Sequence, residues 1–134
     1  MLNKDSKIAW IFDYTQTELK RKKWYNSMKI LILGYSNLAI RKIIPAIKKL
    51  KKINFDIASK SKAEKNIGHD KWYRDYNKAI NHSNADIVYI SLVNSKHYSY
   101  AMKALNNKKN VIIDKPFSTN HKQTINLLNL AKKK

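Results

Sequence analysis

The segment Gly34-Tyr35-Ser36-Asn37-Leu38-Ala39 has the residue types of a loop that holds phosphate. A dinucleotide-binding turn reads G-x-G-x-x-G/A between a strand and a helix. Its first glycine makes the turn, its second lets backbone approach a pyrophosphate, and its third packs the helix on the strand. Gly34 fills the first position, Ala39 is an accepted third, and Ser36 stands at the second. Ser36 either hinders the phosphates or bonds a phosphate oxygen through its hydroxyl; a plain strand-to-helix turn is the competing reading. The N–H groups that open the helix favour an anion. A second pair, Ser59-Lys60, begins 20 residues after Ala39. An NAD-selective site carries Asp or Glu there for the ribose hydroxyls. A hydroxyl followed by a cation suits a 2′-phosphate, which favours NADP over NAD; the plainer alternative makes Lys60 one more surface lysine.

Other chemistries lack their residues. With no Cys there is no thiolate nucleophile, no disulfide framework and no Cys-ligated metal. His69, His82 and His121 show no ligand spacing, so no metal site is expected. Gly-x-Ser-x-Gly and His-Glu-x-x-His are both absent. Asp70 and Asp75 read as solvated surface acids.

The elements that must position these residues follow from the apolar pattern. Residues 30–33 are a continuous apolar run stopping at Gly34, as a strand buried on both faces should. Leu38, Ile40, Ile43, Ile44, Ile47 and Leu50 then recur at helical spacing, with Pro45 set to kink that helix or end its first half. Residues 55–58 read as a second strand, 59–65 as a polar loop, and Trp72-Tyr73 as a short strand before a helix over Tyr76–His82. Residues 86–92 form another buried strand. Tyr98, Ala101, Met102 and Leu105 mark an amphipathic helix, and residues 111–113 a strand running into Asp114-Lys115-Pro116. Thr119 or Asn120 can cap a last helix carrying Ile125, Leu128 and Ala131. Alternating strands and helices predict an α/β fold, a Rossmann-type doubly wound parallel sheet. Ligands of such sheets bind beyond the carboxyl ends of the strands. Four segments lie there: 34–39, 59–61, 92–97 and 114–117.

Taken in order, these residues resemble the N-terminal domain of the glucose–fructose oxidoreductase / inositol dehydrogenase (Gfo/Idh/MocA) family. That family shows an apolar strand, Pro-Asn-x-x-His, a helix, and a strand closing in Glu-Lys-Pro. Here residues 88–97 read Val-Tyr-Ile-Ser-Leu-Val-Asn-Ser-Lys-His, and the later strand closes in Asp114-Lys115-Pro116. Ile44-Pro45-Ala46-Ile47 is similar to the family's Leu-Pro-Ala-Leu. The resemblance runs from Met28 to Lys134. It implies that Leu92, Val93 and Asn94 line the cofactor site near the nicotinamide ribose and that His97 starts the next helix close by. It also implies that Lys115 is the catalytic residue, facing nicotinamide and substrate hydroxyl across a Lys-Pro bond that is often cis. Val93 departs from the family's proline, Asp114 from its glutamate, and Lys108 from the glycine after the helix, leaving Asn106 or Asn107 to take a left-handed cap.

The formal net charge of +19 suggests a polyanionic partner. The basic residues are 25 Lys against three Arg, alongside 15 Asn and 17 Ile. All three abundant types have A/T-rich codons, and a base-reading protein favours Arg. A basic surface of compositional origin is therefore the first reading, with no specific nucleic acid and no membrane partner expected. The chain reads as a soluble cytoplasmic protein. Residues 1–27 form an N-terminal extension of unknown role, with an apolar patch at Ile8, Trp10, Ile11 and Phe12. Residues 28–134 form the NAD(P)-binding domain, truncated before its last strand, and the family's C-terminal substrate domain is absent. The expected function is dinucleotide binding, with hydride transfer to or from a sugar or cyclitol hydroxyl only if another domain, chain or oligomer completes the site. The alternative is a basic interaction module of Rossmann shape that no longer binds nucleotide.

Overall fold

The computed structural model describes residues 28–133, so the extension before Met28 and its apolar patch lie outside the described residues. Five strands form one parallel sheet: β1 (Met28–Leu33), β2 (Ile53–Ala58), β3 (Trp72–Tyr73), β4 (Ile87–Ile90) and β5 (Asn110–Ile113), in the order β3-β2-β1-β4-β5. Central β1 pairs on both sides, Ile30 facing Phe55 of β2 and Ile87 of β4. Helices cover both faces of the sheet, so residues 30–33 have no solvent face, which is why Leu31, Ile32 and Leu33 form an unbroken apolar run.

Helix α1 opens as a π-helical turn, Ala39–Ile43, and continues as an α-helical stretch, Ile44–Lys48. Helices α2 (Tyr76–His82), α3 (Asn94–Asn106) and α4 (His121–Lys133) follow. Residues of α2, α3 and α4 pack with Leu31, Leu33, Val88 and Ile90 on one face of the sheet. On the other face α1 supplies Ala39, Ile44 and Ile47 against Ile32, Phe55, Ile57 and Tyr89. The doubly wound parallel architecture is thus as expected from the sequence.

The apolar stripe expected on α1 splits. Ile44 and Ile47 are buried, whereas Leu38, Ile40 and Leu50 are exposed. The cause is the π turn: the Ile44 N–H donates to Ala39 O, five residues back. The wider turn rotates everything after it relative to a regular helix, so Ala39, Ile44 and Ile47 share the inner face. Pro45 sits in the first turn of the α-helical stretch, where its missing N–H breaks no bond.

Two other expectations change. Neither Asn106 nor Asn107 takes the left-handed position after α3; Lys108 does, at φ 58°. The Lys109 N–H reaches Ala104 O at 3.0 Å and the Lys108 N–H reaches Leu105 O at 2.9 Å. This pair of closing bonds sets which residue turns left-handed. Asp70 and Asp75 are not idle surface acids either. Asp75 caps α2, accepting the Lys78 N–H at 2.8 Å. Asp70 lies 3.0 Å from Lys29 Nζ, which is also 3.0 Å from Asp56 Oδ1. Asp56 is fully buried inside β2 and accepts from the Ser83 hydroxyl at 2.7 Å and the Lys71 N–H at 3.1 Å. Burial alone lowers the Lys29 pKa, but its bonds to Asp70 and Asp56 outweigh it, and the amine holds its proton above the usual lysine range. Asn120 caps α4 through the Gln123 N–H at 3.0 Å, and Thr119 bonds the Gln123 side chain.

Candidate dinucleotide site

β1 leads leftward to β2, while its right-hand neighbour β4 leads on to β5, so the strand order reverses between β1 and β4. The carboxyl ends of these two strands open a crevice there. Gly34 lies at its base with φ +97°, a backbone that side-chain-bearing residues rarely adopt. A Cβ at this position would stand 2.5 Å from Ser91 O and 2.9 Å from Leu92 Cδ2. The loop after β1 therefore touches the loop after β4 only because residue 34 has no side chain.

Tyr35, Ser36, Asn37 and Leu38 carry the chain from Gly34 to Ala39, the first residue of α1, which is fully buried against the sheet as the helix–strand contact requires. Ser36 Oγ accepts the Ala39 N–H at 3.1 Å and hydrogen-bonds the Ser91 hydroxyl. The Ser36 side chain is thus turned onto β4. Tyr35 packs edge-on against Trp72, with ring centroids 5.2 Å apart, and its hydroxyl donates to Glu64 at 3.0 Å. The loop after β2 is held to the phosphate loop by that bond. At the end of β2, Ser59 is buried, its hydroxyl facing Ser61 Oγ at 2.9 Å, and Lys60 is exposed. Of the two acids in this loop, Glu64 is engaged with Tyr35 and Asp70 with Lys29.

After β4, Leu92 is half-buried while Val93 and Asn94 are exposed at the start of α3. Val93 has φ −62°, the angle a proline would impose, so the backbone keeps the shape of the family's Pro-Asn turn. His97 is buried, with its Nδ1 2.7 Å from Pro116 O and its Nε2 2.8 Å from Leu92 O. A neutral ring donates to one of these carbonyls and a protonated ring to both. His97, expected at the start of the next helix close to the cofactor site, lies in the first turn of α3 and ties the loop after β4 to the loop after β5. Lys115 is exposed and its peptide bond to Pro116 is cis. Its two neighbours are both held: Pro116 through His97, and Asp114 by the Tyr89 hydroxyl, which donates to Oδ2 at 2.5 Å.

The structure thus joins Gly34–Ala39 to the loop after β4, and that loop to Asp114–Pro116. The Ser59-Lys60 corner connects through Tyr35 and Glu64. Sequence reading missed Tyr89 and Ser91, hydroxyl-bearing residues within a run taken as apolar; two such residues in a buried strand need partners, and that was the available signal. A dinucleotide fits this arrangement. A side chain at residue 34 would collide with Ser91 O and push the two crevice loops apart, and the β2 corner offers a hydroxyl and a cation.

Comparison with known proteins agrees with this geometry. The profile of an oxidoreductase family with an NAD-binding Rossmann fold, Gfo/Idh/MocA, matches residues 28–134. An uncharacterized oxidoreductase of Schizosaccharomyces pombe is 34% identical over 77 residues, 58% of this chain and 21% of that protein. A crystal structure assigned as an oxidoreductase from Bacteroides fragilis superposes with a TM-score of 0.74 at 25% identity, over 81% of this chain and 35% of that one. KijD10, a 3-ketoreductase from Actinomadura kijaniata solved with NADP, shares the fold at a TM-score of 0.74 and 23% identity, covering 81% of this chain and 36% of its own. The chain therefore spans about a third of the solved structures it matches and a fifth of the curated relative. Among the described residues no helix is long and apolar enough to cross a membrane, and no cluster of His, Asp or Glu could hold a metal ion. This chain belongs to the Gfo/Idh/MocA oxidoreductase family, through its NAD-binding Rossmann domain.

Proposed function

We propose that the chain binds a nicotinamide dinucleotide in the β1/β4 crevice, with NADP preferred, and presents Lys115 to the reacting end of the ligand. The observation that supports this best is the close approach of Gly34 to Ser91 O, which brings the loop after β1 against the loop after β4 at the crevice base. The loop of residues 34–39 holds the pyrophosphate by its backbone N–H groups as α1 begins. Ser59 and Lys60 receive the 2′-phosphate, while Glu64 of the same loop is engaged with the Tyr35 hydroxyl. When bound, the nicotinamide supplies hydride chemistry. Leu92, Val93 and Asn94 flank its ribose. Lys115 would hydrogen-bond and polarise the substrate hydroxyl that loses its proton as hydride departs. A sugar or cyclitol alcohol is the substrate class, and its pocket comes from a further domain, another chain or an oligomer.

Titration of the purified chain with NADPH and NADH, followed by coenzyme fluorescence, tests the reading. NADPH should bind at least about tenfold tighter, a difference of ~1.4 kcal/mol. Equal or tighter NADH binding removes the NADP preference, and binding of neither coenzyme removes the site. Lys115→Ala should leave coenzyme affinity within about threefold, because its amine serves the substrate rather than the coenzyme.

A further inference from the structure

An apolar groove runs along the outside of the domain, between α1 and the loop after β2. Tyr35, Ile40, Ile44, Pro45, Lys48 and Ile67 line about 390 Å³ there. Ile40 is exposed on its wall, and Leu38 and Leu50 are exposed just before and just after the helix. Apolar surface gathered in this way marks a contact site. Lys48 is the only charge of the groove. Its arm lies along Gly68, where a Cβ would stand 3.6 Å from Lys48 Cε. Among the described residues no acid pairs with its amine. No Asp or Glu occurs from Met28 to Phe55, whereas Arg41, Lys42, Lys48, Lys49, Lys51 and Lys52 crowd α1 and the turn after it. A surface that is both apolar and cationic fits a segment that is both apolar and acidic.

The chain carries such a segment. Residues 8–12 read Ile-Ala-Trp-Ile-Phe, with Asp5 and Asp13 on either side. Residues 1–19 hold three acids against two lysines, a net charge of −1, so the remainder of the +19 chain carries +20. The point of attachment also suits the groove. The Met28 N–H donates to Lys52 O at 3.0 Å, so the extension joins the sheet beside the turn that closes α1. Phe12 lies 16 residues before Met28, a stretch that can reach ~50 Å, whereas α1 is only ~15 Å long. A tether of this kind keeps the segment at roughly millimolar effective concentration, so a small contact area is enough. We propose that residues 8–12 of this chain seat their apolar side chains in the groove between α1 and the loop after β2, with the flanking acids toward the cations of α1. The proposal goes beyond the dinucleotide reading and stands whether or not the crevice takes a coenzyme. It gives the outward turn of Ile40 a partner within the same chain.

The lack of Cys allows a direct test on the full chain. Ile11→Cys is combined with Ile40→Cys in the groove or, as a control, with Leu128→Cys on α4, across the sheet from α1. Under mild oxidation the groove pair should close an intramolecular disulfide at least about tenfold faster than the control pair, which the same tether can reach. Equal rates overturn the proposal. A product that is chiefly a disulfide-linked dimer overturns it too, because a second copy then fills the groove. Ile67→Cys, on the other wall, should show the same preference when it takes the place of Ile40→Cys; loss of the preference there counts against seating in the groove. Adding Phe12→Ser and Asp13→Lys to the groove pair should slow closure at least about fivefold. An unchanged rate would mean random collision of a tethered end, and the proposal falls.

Discussion

At position 34 two constraints coincide: a left-handed backbone and a carbonyl 2.5 Å from where a Cβ would sit. The obstructing atom is backbone and cannot swing aside, so Gly34→Ala should cost at least about 2 kcal/mol of stability. A denaturation midpoint within about 0.5 kcal/mol of wild type would show that the turn yields more easily. The Lys29–Asp56–Asp70 group makes a sharper comparison. Lys29→Met strands the fully buried Asp56 carboxylate and should cost about 3 kcal/mol, whereas Asp70→Asn, at a partly exposed partner, should cost under about 1 kcal/mol. Equal losses from the two would mean that burial of Asp56 does not govern the pair. These residues also show what a sequence can disclose. Gly34, Asn94, His97 and Lys115-Pro116 were legible because their types are tied to backbone shape and to an ordered spacing. Asp56, Tyr89 and Ser91 were not, because periodicity reads a strand by its apolar members and passes over the polar ones that need partners.

Among the elements, α1 departs furthest from its sequence pattern. A helical wheel puts Ile40 and Ile47 on one stripe, but the π turn places Ile47 in the core and leaves Ile40 39% exposed. Ile47→Ala should therefore cost about 2–4 kcal/mol and Ile40→Ala no more than about 0.5 kcal/mol. Comparable losses in thermal or chemical unfolding would restore the regular wheel. Wheel and structure disagree because an extra residue in one turn leaves no mark in residue types; only the proline after it hints at the junction. Strand positions survived better. A parallel strand buried on both faces needs a continuous apolar run, and β1, β4 and β5 have one, whereas Asn54 and Asp56 interrupt β2. The two-residue β3 was found through its aromatic pair, and its bond to β2 holds the loop that carries Ser59 and Lys60.

For the whole molecule, pH and charge act together. Burial, then the bond to Asp114, push the Tyr89 hydroxyl well above the usual phenol range. The folded protein thus keeps a proton that the unfolded chain releases near pH ~10, so stability is complete below that pH and falls as it rises further. Lys29, raised by its two acids, contributes loss in the same direction above its ordinary value. Lys109 opposes them. Burial lowers its pKa, so its contribution grows as pH rises toward the ordinary lysine value. Denaturant unfolding between pH 8 and 11 should show a steeper alkaline decline for wild type than for Tyr89→Phe; parallel curves would remove Tyr89 from the balance.

The strand order carries a consequence in time. β1 and β2 are neighbours along the chain and can pair as soon as residue 58 has left the ribosome, but β1 meets β4 only after residues 87–90 have been made. Contacts between distant segments are closed late. The Gly34–Ser91 approach and the Ser36–Ser91 bond belong to that late closure. The crevice does not exist in a half-made domain, and a nascent chain acquires it in the same event that completes the centre of its sheet. A ligand captured there stabilises only chains that have finished folding.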